Sequence, residues 1–243
     1  MSVVSILNLP IQNITMAEAV ADVSAFFEAR GSRIVVTPNA EILQAYADDE
    51  AVRAVLQQAD YVIPDGIGVV LASRLLKTPV KEKVAGVELA EHLLKRCAEQ
   101  GRRVYFLGAK PGVAEAAKEK MQAKYPGLQV AGLHDGYFKP EEEPAIIEEI
   151  NRLDIDMLFV CLGAPRQECW MAENRKALKV GVMLGLGGSL DVFAGAVKRA
   201  PRWMIRWGLE WLYRVCKEPW RIKRIIELPF FLLSIKKRAK KIK

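Results

Sequence analysis

Residues 59–70 read ADYVIPDGIGVV: a short apolar run ends at Pro64, and a carboxylate, Asp65, precedes Gly66-Ile67-Gly68. Glycines directly after a strand let backbone N–H groups approach an anion such as phosphate. A carboxylate at the same mouth repels that anion, so Asp65 suits a different task. Partial burial at such a turn would raise its pKa and make it a general base. The same placement also fits a side-chain cap of the following helix. Asn39, in TPNAEIL, offers a similar pair of readings, a helix cap or a partner for a sugar hydroxyl, and Thr37 either lines a site or simply ends a strand.

The other glycine-rich stretches are weaker signals. Gly66-Ile67-Gly68 falls short of GxGxxG because residue 71 is Leu. Gly108 and Gly112 flank a turn that either meets a phosphate or starts a helix after Pro111. Gly185, Gly187 and Gly188 precede Asp191, which has the reach for a ribose hydroxyl or is a solvated helix residue. Several chemistries lack their residues altogether. The two histidines, His92 and His134, belong to no HExxH or His/Cys cluster, so no metal or other cofactor is expected. Neither GxSxG nor GxxxxGK[ST] occurs. Cys97, Cys161, Cys169 and Cys216 form no CxxC pair and read as free thiols of a reducing compartment.

Apolar runs at 3–7, 33–37, 60–64, 103–107, 128–133, 156–161 and 180–185 alternate with helical patterns near 15–30, 39–58, 67–77, 86–100, 111–124, 142–152, 166–178 and 188–196. Several runs are apolar throughout, as in parallel strands covered on both faces. The expectation is an α/β fold: a Rossmann-like, mostly parallel sheet flanked by helices. Ligands bind such sheets outside the carboxyl ends of the strands. Thr37-Pro38-Asn39, Asp65-Gly66, Gly108–Gly112, His134–Tyr137, Gly163–Gln167 and Gly185–Asp191 all follow predicted strands, so one rim gathers the polar and glycine residues.

Charge divides the chain. Of its 36 basic and 29 acidic side chains, 15 and 3 fall in residues 198–243, leaving a net −5 body and a net +12 end. Trp203, Trp207, Trp211 and Trp220 lie in that end too. We therefore expect a core over 1–196 and a basic, Trp-rich helical appendage over 197–243. At 100° per residue, Trp203 to Val215 presents a wide apolar arc beside a narrow stripe of Arg202, Arg206, Glu210 and Arg214. That suits a helix lying in a membrane interface. A second helix starts at Pro219 and kinks or ends near Pro229, before six Lys/Arg in the last eight residues. Such a cluster favours an anionic leaflet. A helical pair packed on the body is the alternative; nucleic acid would leave the apolar arc without a role. No apolar run approaches the ~18 residues of a spanning helix, and the start of the chain has no basic, apolar leader pattern. A peripheral protein of the cytoplasmic membrane face is expected, with homo-oligomerisation left open.

Taken in order, TPNAEIL (37–43), PDGIGVV (64–70), VAGVEL (84–89), FLGAKPGVAEAA (106–117), DGYF (135–138), CLGAPRQECW (161–170), GLGGSLDVFAGAVKRAPRWM (185–204) and GLEWLYRVCKEPWRIKR (208–224) resemble the WecG/TagA/CpsF family, glycosyltransferase family 26. The resemblance spans nearly the whole chain. It implies a metal-independent, inverting transfer from a UDP-sugar to a polyprenyl-diphosphate-linked acceptor. In the best-described branch, N-acetylmannosamine passes from UDP-ManNAc to the C4 hydroxyl of GlcNAc on undecaprenyl diphosphate, for wall teichoic acid. Related branches use UDP-N-acetylmannosaminuronate or UDP-glucose. Carried onto matching positions, Asp65 would be the catalytic base, with Thr37, a second catalytic residue, and Asn39 lining the sugar and catalytic pocket. Tyr137, Gln167, Gly187, Gly188 and Asp191 would hold UDP, and Arg214, Arg221 and Arg224 would close over the diphosphate. Lys83 stands where the family more often has Arg; it can neutralise diphosphate but cannot grip it bidentately. Cys216 replaces an expected aliphatic residue.

Overall fold

The computed structural model describes residues 2–28, 31–201, 203–204, 210–217 and 222–241. Its centre is a six-stranded sheet made of β3 (Arg33–Val36), β4 (Tyr61–Val62), β5 (Arg103–Gly108), β6 (Gln129–His134), β7 (Met157–Cys161) and β8 (Val182–Gly185). The spatial order is β4-β3-β8-β7-β5-β6, and every neighbouring pair is parallel. The expected Rossmann-like α/β architecture is therefore present.

Helices cover both faces: α1 (Met16–Ala25), α2 (Ala40–Asp48), α3 (Glu50–Leu56), α4 (Gly66–Leu75), α5 (Gly86–Gln100), α6 (Val113–Lys124), α7 (Glu143–Arg152), α8 (Arg166–Asn174) and α9 (Ser189–Phe193). Because strand side chains alternate between faces, each strand feeds two cores. Ile34, Val36, Leu107, Leu158, Val160 and Met183 meet residues of α2, α3, α4, α7 and α8. Val35, Phe106, Phe159, Val182 and Leu184 meet residues of α1, α5, α6 and α9. That double burial explains why the strands read as unbroken apolar runs.

Two elements of the body differ from the sequence expectation. The first run, β1 (Val3–Ile6), pairs antiparallel with an unexpected strand, β2 (Leu9–Gln12), in a separate two-stranded sheet. Leu7 and Asn8 turn between them with φ of 56° and 68°. Such tight turns are usually announced by glycine, which is missing here. The single helix expected over 39–58 breaks at Asp49, whose backbone turns extended while its carboxylate accepts the N–H groups of Ala51 at 2.8 Å and Val52 at 3.4 Å. Side-chain capping of a new helix wins over continuation of the old one.

Chain direction sets up a crevice. From β5 the chain leads through α6 outward to β6, whereas from β7 it leads through α8 the other way to β8. Their carboxyl ends thus flank a topological switch point. Gly108, with φ of +126°, ends β5 so close to β7 that an added Cβ would lie 2.3 Å from the Cys161 carbonyl oxygen. Only glycine allows that approach.

Beyond α9 lie α10 (Glu210–Lys217) and α11 (Ile222–Lys241). The helix expected to kink or end near Pro229 runs through it. Phe231 and Ile235 are each 1% exposed and belong to the core shared with α2 and α4. Ser234 donates to Gln44 Oε1 at 3.0 Å, and Arg238 pairs with Asp48 at 2.8 Å. On the other side of this helix, Phe230 and Leu233 are 66% and 62% exposed. Among the described residues no helix is long and apolar enough to cross a membrane.

Candidate active site

The carboxyl ends of β3, β4, β7 and β8, together with the start of α5, converge on one linked set of side chains. Asp65 occupies the position before α4 but makes no side-chain cap bond to that helix. Its Oδ2 instead accepts the N–H of Gly86, at the start of α5, at 3.2 Å. The same two segments are tied by the Val84 N–H, which donates to the Pro64 carbonyl at 3.0 Å. Lys83, half-buried, immediately precedes this tie.

Gly66 and Gly68 answer to backbone and packing demands. Gly66 takes φ of +81° at the first residue of α4, and an added Cβ on Gly68 would lie 2.5 Å from Ala40 Cβ on α2. The glycines thus let the chain turn sharply after Asp65 and let two helices touch.

Thr37, directly after β3, is buried and packs on Gly86, where a Cβ would come within 3.1 Å of its Oγ1. Its hydroxyl donates to the Gly185 carbonyl at the end of β8 at 3.0 Å. Asn39 caps α2 by accepting the Ile42 N–H at 3.1 Å, and its Cβ lies 3.7 Å from where a Gly66 Cβ would be. Gln167, in the first turn of α8 after a cis Ala164–Pro165 peptide, is 2% exposed. Its Oε1 accepts the Gly187 N–H at 2.9 Å. Asp65, Gly86, Thr37, Gly185, Gln167 and Gly187 therefore form a continuous chain of contacts. Gly188 and Asp191 follow at the start of α9; a Gly188 Cβ would stand 3.5 Å from Asp191 Oδ2.

Tyr137 belongs to a neighbouring cluster after β6. Its ring is 68% exposed, and its backbone N–H donates to Asp135 Oδ1 at 2.7 Å. Arg166 joins the two clusters: it donates to the Gly136 carbonyl at 3.0 Å and stacks over Phe138, 5.3 Å from the ring centroid. Gly86, Gly185, Arg166 and Glu168 are site residues that the rim reading of the sequence left without a role. The first two act through backbone groups, which carry no side-chain signal. Arg166 and Glu168 flank Gln167 in APRQE, and only the partners of the first and the burial of the second distinguish them.

Of the basic residues expected from the tail, Arg221 lies outside the described residues, as do the side chains of Arg214 and Arg224. Burial pushes the Cys161 thiol, at the end of β7, up to about 12, so it stands as a core residue and not a nucleophile. Burial also raises the Glu168 carboxyl, against the pull of the Gln167 amide and its own backbone N–H. Among the described residues there is no cluster of three or more His, Cys, Asp or Glu side chains placed to hold a metal. A cavity of about 400 Å³, lined by Gly31, Asn151, Asp154, Leu178 and Lys179, lies at the opposite, amino-terminal end of the strands. Its polar groups are spent locally, Asn151 bonding both Ala177 and Lys179, so the carboxyl-end rim is the better site.

Residues 4–243 match the Glycosyl transferase WecG/TagA/CpsF family. The chain is 37% identical over 215 residues (88% of this chain, 83% of the relative) to N-acetylglucosaminyldiphosphoundecaprenol N-acetyl-beta-D-mannosaminyltransferase of Bacillus subtilis (strain 168). It is 37% identical over 242 residues (99% and 94%) to the protein of the same name from Staphylococcus aureus (strain MW2). With the family match over nearly the whole chain and relatives at this identity and coverage, the chain belongs to the WecG/TagA/CpsF family of glycosyltransferases.

Proposed function

We propose that the protein transfers N-acetylmannosamine from UDP-ManNAc, with inversion and without a metal, to the C4 hydroxyl of GlcNAc on undecaprenyl diphosphate, in wall teichoic acid linkage-unit synthesis. The observation that carries this reading is Asp65: a rim carboxylate that leaves its own helix uncapped and reaches to the Gly86 N–H. A carboxylate at the sheet rim that is not spent on capping its own helix can take a hydroxyl proton. In the reaction Asp65 removes the C4 hydroxyl proton as that oxygen attacks the anomeric carbon. The bond from that carbon to UDP breaks, and UDP departs with the electron pair. Thr37 and Asn39 line the sugar pocket. Gln167, Gly187, Gly188, Asp191 and Tyr137 hold the nucleotide, and Lys83 meets the diphosphate as a point charge. Arg214, Arg221 and Arg224, from the 197–243 segment, neutralise the charge that develops on the departing UDP. The protein works as a peripheral enzyme on the cytoplasmic face, its basic end on the anionic membrane.

The test is UDP release across a panel of UDP-sugars with a lipid-diphosphate-GlcNAc acceptor. UDP-ManNAc should turn over fastest, and only with acceptor present. A preference for UDP-ManNAcA or UDP-glucose would reassign the donor, and no release with any sugar would overturn the reading.

A further inference from the structure

One carboxyl at the rim takes no part in the roles above. Glu168, in the first turn of α8, is 2% exposed. Its Oε1 accepts from Gln167 Nε2 at 2.8 Å, whereas Oε2 is buried and meets no hydrogen-bond partner among the described residues. Gln167 presents its own Oε1 to the Gly187 N–H at 2.9 Å. Its amide lies across the end of β8, where a Cβ on Gly185 would come within 3.1 Å of Nε2. The Gly185 carbonyl is in turn the acceptor of the Thr37 hydroxyl.

The two ends of a side-chain amide are nearly the same size, so its neighbours decide which end points where. The Gly187 N–H needs an oxygen. The Glu168 oxygen needs a donor, which the Gln167 NH₂ supplies. Both demands are met in one orientation only. With an apolar residue at 168, the NH₂ end would have no acceptor in a buried place, and flipped or displaced amides would compete. Packing alone favours an apolar side chain there, because a buried carboxyl with a spare oxygen is unfavourable and asks for a reason.

We infer that Glu168 is a positioning residue: it holds the Gln167 amide with its oxygen toward Gly187 and so sets the glycine turn after β8 for the donor. The inference rests on the proposed function for the nature of the donor, but its geometry stands apart from it. The experiment compares Glu168→Gln and Glu168→Leu with the natural protein in three readouts: hydrogen exchange of the Gly187 amide, donor KM against kcat, and Tm. Glu168→Leu should speed Gly187 exchange and raise the donor KM, each about tenfold, the size of one orienting hydrogen bond. Its kcat should move less, and its Tm should change little, since the loss of an unpaired buried oxygen offsets the loss of the acceptor for the Gln167 amide. Glu168→Gln, which keeps a carbonyl acceptor, should stay within about threefold of the natural protein, well inside that same effect. Unchanged exchange in Glu168→Leu would overturn the inference. So would loss of the fold in that variant, or a Gln variant as impaired as the Leu one. Accelerated Gly187 exchange in a protein that turns over no UDP-sugar would count against the proposed function and leave the positioning role standing.

Discussion

Asp65 and Asn39 occupy equivalent places, each just before a helix at the carboxyl end of the sheet, and they are used differently. Asn39 spends its Oδ1 on the Ile42 N–H of its own helix. Asp65 makes no such bond to α4 and faces Gly86. Replacing each by alanine should therefore give different ratios of lost activity to lost stability. Asn39→Ala should lower unfolding free energy by about 1 kcal/mol, the usual worth of a helix cap. Asp65→Ala should cost a similar ~1 kcal/mol through the lost Gly86 bond while slowing transfer by ~10²–10⁴-fold, as loss of a general base does. UDP affinity, measured by titration, should survive in Asp65→Ala. A collapse of UDP affinity with turnover per bound donor unchanged would make Asp65 a binding residue.

Among the elements, β4 has the least to hold it, with only two residues in the sheet, yet it must present Asp65. Asp60, just before it, anchors that edge. Its carboxylate accepts the Ile34 N–H of β3 at 2.8 Å and pairs with Arg33 at 3.0 Å and Arg175 at 2.8 Å. Burial pushes the Asp60 carboxyl up, but the Ile34 N–H and the two guanidiniums outweigh it and hold it below its ordinary 3.8. A carboxyl lowered in the folded state adds stability at pH above its unfolded value and loses it as pH falls through the folded value. Asp60→Asn should thus cost roughly 1 kcal/mol at neutral pH, the arginines being partly exposed. The difference should shrink as pH drops below about 3.8, read by denaturant unfolding at several pH values. A difference that stayed constant with pH would assign the effect to packing. At this scale β3, β5 and β7 were legible as apolar runs because both their faces are buried. The β1–β2 hairpin was not, since its turn uses Leu7-Asn8 in place of glycine. The break at Asp49 depends on a capping bond that competes within an otherwise continuous helical pattern.

Across the whole molecule, the charge division meets a packed helix. The basic end is not simply hung on the body, because Phe231 and Ile235 of α11 lie in the core with α2 and α4. Deleting 197–243 would remove core side chains as well as arginines, so activity lost in that truncation would not by itself report catalysis. Surface changes are cleaner. Phe230 and Leu233 are exposed on the same helix as the exposed Lys236 and Lys237. Changing the first pair to Ser and the second to Gln should weaken binding to anionic phospholipid vesicles by ~10–100-fold, at about 1 kcal/mol for each basic residue near the surface. Tm should hold, since none of the four is buried, and sedimentation with vesicles of rising salt would measure the loss. Unchanged binding would move the membrane contact elsewhere.

By itself, the sequence determined the class of the fold, the gathering of polar and glycine residues at one rim of the sheet, and the division of charge. Apolar periodicity, strand-end glycines and composition are local properties that survive in one dimension. The ordered motifs also carried the family. Tertiary structure alone decided that Asp65 turns from its own helix toward Gly86, and that Gln167 bridges Glu168 and Gly187. It alone decided, too, that the end of the basic segment returns to the core. Each of these joins residues far apart in the chain, or depends on which of several possible partners burial leaves within reach. Spacing along a sequence contains neither distance nor desolvation, and those two quantities choose whether Asp65 caps its own helix or turns to Gly86.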